Sequence, residues 1–103
     1  MDKAYTLRFL PLFERDLNGI VDYIAVRLKN PAAADRLIDD VEKAINDRLP
    51  FAEAFEPYRA LLPHPLPYYY IRVRNFLIFY VVVGDVTEVR RIVYSRRDMT
   101  EQL

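Results

Sequence analysis

Apolar and polar residues alternate from the amino terminus: Tyr5, Leu7 and Phe9 fall on one side of residues 5–10 and Thr6 and Arg8 on the other, the two-residue period of a strand with one covered face. Pro11 suits the first position of a helix, and Leu17, Ile20, Val21, Ile24 and Leu28 then recur at helical spacing through Lys29. Gly19 weakens that helix without interrupting its stripe. Asn30 followed by Pro31 marks a second helix start, the Asn as cap and the Pro as first helical residue. Ala34, Leu37, Ile38, Val41, Ala44, Ile45 and Leu49 trace its apolar stripe. With almost no loop between them, the two helices are expected to form an antiparallel hairpin.

Five of the seven prolines lie within residues 50–67, which argues against regular structure there beyond a short edge segment. Residues 68–74, 76–83 and 86–95 then read as three strands rich in β-branched and aromatic residues, with turns near Asn75 and at Gly84 and Asp85. Counting directions along this order places the first strand antiparallel to the last, so that one sheet closes over the hairpin. The expectation is a single α+β domain over residues 1–103, a two-layer β-α-α-β-β-β arrangement with an antiparallel sheet packed on a helix hairpin.

Residues 76–83 are apolar on both sides, with Phe76, Ile78, Tyr80 and Val82 facing one way and Leu77, Phe79, Val81 and Val83 the other. Helices cover only one face of a two-layer fold. The second face is therefore either sealed by residues 50–67 folding back or left as an apolar binding surface for a partner or a second copy of the chain, a homodimer.

Hydrophobic residues make up 52% of the chain and aromatics 14%, enough to build one core in 103 residues. The absence of cysteine removes disulfides, thiolate metal sites and cysteine nucleophiles, and fits a reducing compartment. The longest apolar run, residues 76–83, is far short of the ~20 residues that cross a bilayer, and no signal-peptide core precedes it, so the chain is expected to be cytoplasmic with no membrane partner. Fifteen bases balance fifteen acids, which removes any global pull toward nucleic acid. From His64 onward, however, all the basic residues are arginines, whose forked donors suit phosphate. His64 itself stands between prolines with no partner at ligand spacing and reads as a surface residue. Asp39, Asp40 and Glu42 lie on a helix beside Lys43 and Arg36 and read as a solvated face. No nucleotide loop, nucleophile elbow or zinc motif is present, so neither metal nor cofactor is expected.

The order of elements, the segment YYYIRVRNFLIFYVV and the closing segment VRRIVYSRRD together resemble the RelE/ParE superfamily of bacterial toxins, over nearly the whole chain. The most specific part is the final strand, which ends Tyr94, Ser95, Arg96, Arg97, Asp98. The resemblance implies a growth-inhibiting toxin of the kind that serves plasmid stabilisation, held in check by a cognate antitoxin that lays an extended or helical segment over the active surface. It implies two activities: RelE-like members cut messenger RNA in the ribosome, and ParE-like members poison DNA gyrase. A degenerate fold kept only for binding is a third reading.

On the mRNA interferase reading, taken first here, cleavage needs a proton acceptor, a donor to the leaving oxygen and cations for the transition-state charge. Arg97 matches the family's arginine at the end of the last strand and Arg72 its basic residue after the loop, with Arg96 beside them and Tyr94 as the candidate for proton transfer. Arg74 and Tyr70 are the candidate RNA contacts, and Tyr68 and Tyr69 read as half-buried sheet residues. Two departures weigh against cleavage: Leu77 stands where RelE-like nucleases carry an arginine, and no tyrosine follows Tyr94. Both are tolerated by a gyrase poison, which needs a binding surface and no acid-base pair.

Overall fold

The computed structural model describes residues 4–58 and 65–95. Strand β1 (Thr6–Phe9) leads into helix α1 (Pro11–Asp22), which runs on through a π-turn (Tyr23–Arg27). Helix α2 (Pro31–Arg48) follows, then a short 3-10 turn (Leu49–Phe51) and the strands β2 (Tyr69–Val73), β3 (Phe76–Val83) and β4 (Val86–Tyr94). The cap signal holds: the Asn30 side chain accepts from the Ala33 amide at 3.1 Å, with Pro31 next. The two strand turns fall where expected, Gly84 taking a left-handed φ of 65° and Arg74 one of 53°.

The sheet order is β1-β4-β3-β2, with β2-β3 and β3-β4 antiparallel. The architecture is α+β in two layers, as expected, but β1 pairs with β4 in parallel, from Thr6 opposite Val86 to Phe9 opposite Val89. The expected all-antiparallel sheet is thus a mixed one. The reason is local. Leu10 alone joins β1 to α1, and one residue cannot reverse the chain. Phe9 lies beside Val89, and Asp16 in α1 already accepts from the Ile92 amide at 3.2 Å, so α1 continues in the direction of β1. Helix α2 then runs back: Asp40 meets Arg74 at the end of β2, and Arg48 meets the Tyr70 carbonyl near its start. One reversal fewer than the count assumed brings β4 parallel to β1.

The main core lies between helices and sheet, where Phe13, Leu37, Val41 and Ile45 pack on Tyr69, Ile71, Ile78, Tyr80, Val89 and Ile92. The second face is also sealed. Leu77, Phe79, Val81 and Val93 are buried there, with Tyr58 and Leu66 of the proline-rich segment packed against them. The fold-back alternative holds at these positions, and no open apolar surface remains over the centre of the sheet. The segment is tethered by the Tyr58 amide, which donates to the Tyr68 carbonyl, and by the fully buried Tyr80, whose hydroxyl donates to the Ala52 carbonyl at 2.6 Å.

Candidate functional site

Alternation along β2 sends Tyr69, Ile71 and Val73 into the helix-side core and Tyr70 and Arg72 to the opposite face. Arg72 reaches across Leu77 of β3 and donates to Ser95 Oγ at 3.2 Å, where β4 ends. Tyr70 is half-exposed and stands edge-on to Tyr58, with ring centroids 5.6 Å apart. Along β4, Ile92 belongs to the helix-side core and Val93 to the second face, so Tyr94 emerges on the helix side, edge-on to Phe76 at 5.4 Å. The sheet therefore separates Arg72 from Tyr94, two of the residues expected to act together. Arg96 and Arg97, the other two, lie outside the described residues, as does His64.

The remaining arginines of the basic half are bound by carboxylates. Arg74 leaves the second face at its turn and pairs with Asp40 of α2 at 2.6 Å, which gives that acid a partner where a merely solvated face was expected. Arg91 forms a fork with Asp16, Nε to Oδ2 at 2.7 Å and Nη2 to Oδ1 at 3.0 Å. That hydrogen bonding raises the Arg91 pKa above its ordinary value against the opposing pull of burial. Arg90 gives Nε and Nη2 to Glu88 Oε1 and Nη1 to the Tyr68 hydroxyl at 3.0 Å. Burial pulls its pKa down, and the bonds to Tyr68 and Glu88 more than offset it. The buried Glu88 also takes Arg8 at 3.2 Å. The register jumps from Phe79 opposite Arg91 to Tyr80 opposite Val89, so Arg90 is the unpaired residue of a bulge in β4.

Sequence reasoning missed Arg48, because a basic residue in the last turn of a helix usually means only dipole compensation. Here it donates to the Tyr70 carbonyl at 3.0 Å and to the Tyr80 hydroxyl at 3.2 Å, and lies 3.6 Å over the Phe55 ring. With Phe55, Glu56, Tyr70, Ile71 and Arg72 it lines an open cleft of about 600 Å³ along the outer edge of β2. A second, apolar groove of about 370 Å³ runs between β1, α1 and α2, floored by Leu7, Phe13, Leu17 and Val41 with Glu14 and Glu42 among its walls. Among the described residues no cluster of His, Cys, Asp or Glu could hold a metal ion, and no helix is long and apolar enough to cross a membrane.

A family model described as the ParE toxin of the type II toxin-antitoxin system, parDE, matches residues 7–99. A solved structure titled as the chromosomal ParDE toxin-antitoxin system from P. aeruginosa superposes with a TM-score of 0.73 at 18% identity, covering 91% of this chain and 99% of that one. At that identity the superposition speaks for the fold. A search of curated protein sequences gave no match. With nearly the whole chain inside the family match and the same two-layer fold beneath it, this protein belongs to the ParE toxin family of type II toxin-antitoxin systems.

Proposed function

We propose that the chain arrests growth as a non-enzymatic poison of DNA gyrase, under the control of a cognate antitoxin. The observation that carries this reading is the dispersal of the nuclease candidates: Arg72 and Tyr94 emerge on opposite faces, and Leu77, in the place of a needed cation, is buried under the second face. Arg74 and Arg91 have their charge balanced by Asp40 and Asp16, and Arg90 shares Glu88 with Arg8, which lowers what they can offer a phosphate. Membership of the ParE family points the same way. The antitoxin fits the apolar groove along β1, α1 and α2, where a helical or extended segment would bury Phe9, which is well exposed.

One observation favours the mRNA interferase. Arg72 is held against Ser95, the residue that precedes Arg96 and Arg97 in the sequence. Purified toxin assayed against gyrase supercoiling, and separately against messenger on programmed ribosomes, decides between the two. The expected result is gyrase trapped on cleaved DNA with the messenger intact. Messenger cut in the ribosome, abolished by R72A or R97A, with gyrase unaffected, overturns the proposal; loss of one such donor costs on the order of 10²–10³ in rate.

A further inference from the structure

Phe13, Leu17 and Ile20 form the core-facing stripe of α1, and Leu37, Val41 and Ile45 that of α2. In a helix the residue after each stripe position lies about 100° further round. Those residues are Glu14, Asn18 and Val21 on α1, and Ile38, Glu42 and Asn46 on α2. The two flanks face each other across the groove, whose lining includes Glu14, Ile38, Glu42 and Asn46. Ile38, read from the sequence as part of the buried stripe, is only half-buried in its wall.

The charges on these flanks are all acidic: Glu14 and Glu42 in the groove, and Asp35 nearer the start of α2. One residue further round, on the solvent side, the charges are mixed: Arg15 and Asp22 on α1, and Arg36, Asp39 and Lys43 on α2, where Lys43 is taken by Asp47 at 2.8 Å. Arg8 of β1 points to the other face of the sheet, to Glu88. Helix acids that meet the sheet have partners, Asp16 with Arg91 and Asp40 with Arg74. Glu14 and Glu42 have no ion-pair partner among the described residues, and no base stands three or four positions from either. The groove thus joins an apolar floor to two uncompensated carboxylates. A phosphate backbone is repelled there, as is a second copy laid groove to groove. What fits is a protein segment whose apolar side chains are flanked by lysine or arginine.

We infer that Glu14 and Glu42 select the antitoxin: its toxin-binding segment lays apolar side chains over Leu7, Phe9 and Leu17 and brings a basic side chain to each carboxylate. This rests on the placement of the antitoxin proposed above and adds the chemistry of recognition. An antitoxin with acids at those positions is turned away by like charge.

The test measures the affinity of the full-length toxin for the antitoxin encoded beside it, at low and high salt, for wild type, E14Q/E42Q, E14K/E42K and F9S. Both glutamates are exposed and unpaired, so the fold is expected to persist, and thermal melting is read alongside. The expected result is binding weakened about fivefold by E14Q/E42Q, with most of its salt dependence lost, and by about tenfold more in E14K/E42K. Changing the lysines and arginines of the antitoxin segment to glutamate one at a time should restore binding to E14K/E42K at the matching positions. Affinity lowered by F9S but indifferent to both glutamate pairs leaves the antitoxin in the groove and overturns the inference alone. Affinity indifferent to F9S as well removes the antitoxin from the groove, and the inference falls with that reading. Tighter binding by E14K/E42K would make the segment acidic and overturn it too. So would a wild-type toxin that self-associates without antitoxin and becomes monomeric in E14K/E42K, which would seat a second copy there.

Discussion

Replacing Tyr80 by phenylalanine keeps the ring and removes one hydroxyl from a site with no solvent access. That hydroxyl donates to the Ala52 carbonyl at 2.6 Å, itself fully buried, and accepts from Arg48 at 3.2 Å. Arg48 keeps the Tyr70 carbonyl and the Phe55 ring, so its loss is small, but Ala52 is left with a buried acceptor unmet. Orphaning such a group costs ~1–3 kcal/mol, and a central value of about 2 kcal/mol lowers Tm by about 8 °C in a domain of this size. The pH dependence is a separate signature. Burial raises the Tyr80 pKa above its ordinary value of 10.0, partly opposed by Arg48. The folded state therefore holds this proton more tightly than the unfolded state does. Its contribution is complete below about pH 10 and is lost as pH rises through the folded value. The expected outcome for Y80F is a lower Tm at pH 7, a shallower decline as pH rises above about 10, and faster amide exchange at residues 52–58, which Tyr80 tethers. Tyr69, raised in the same direction first by burial and then by Glu53, supplies the residual slope. A Y80F protein melting within about 2 °C of wild type at pH 7, with exchange at 52–58 unchanged, refutes the reasoning.

Substitutions at two further positions test the packing. Asp16 closes a fork on Arg91 and takes the Ile92 amide, with only 16% of its side chain exposed, so D16A is expected to cost about 2–3 kcal/mol by urea unfolding. D16N, which keeps an acceptor for the amide, should cost about half as much; equal losses would mean that the amide bond contributes nothing. Thr87 Oγ1 is buried without a hydrogen-bond partner, so T87V is expected to raise stability by about 1 kcal/mol, seen as an upward shift in the urea midpoint at unchanged slope.

Element positions were legible because each carries a period: Leu37, Val41 and Ile45 mark α2 as plainly as Asn30 and Pro31 mark its start. The orientation of β1 was not, since it depends on the length of one link, Leu10, and no side-chain pattern records a link length. The π-turn left no trace either. Leu28 completes a faultless helical stripe, and the backbone departs from it in spite of that. Residues 76–83 announced two buried faces, but nothing in a run of prolines names Tyr58 and Leu66 as the cover. At the site, the arginines were visible as residues and their carboxylate partners were not, because Asp40-Arg74 and Asp16-Arg91 join elements far apart in the chain. Arg72 was placed correctly on a strand after the loop, while the opposite facing of Tyr94 follows from a register that only the assembled sheet defines.

The parallel pairing of β1 with β4 also sets a schedule for folding. Strands β2, β3 and β4 are joined by two-residue turns and can zip locally. By contrast, Arg8 and Glu88, which meet across the parallel ladder, are 80 residues apart in sequence. Closing a loop of that length costs about 4 kcal/mol in chain entropy, recovered only when the strand is in place. On the ribosome, β1 is made before β4. The sheet therefore cannot be completed until β4 has been made, and until then Leu7 and Phe9 lack their ladder partners. In the finished protein the same strand, short and at the sheet margin, is the natural first unit to open, and its departure would bare the edge of β4 at residues 86–89.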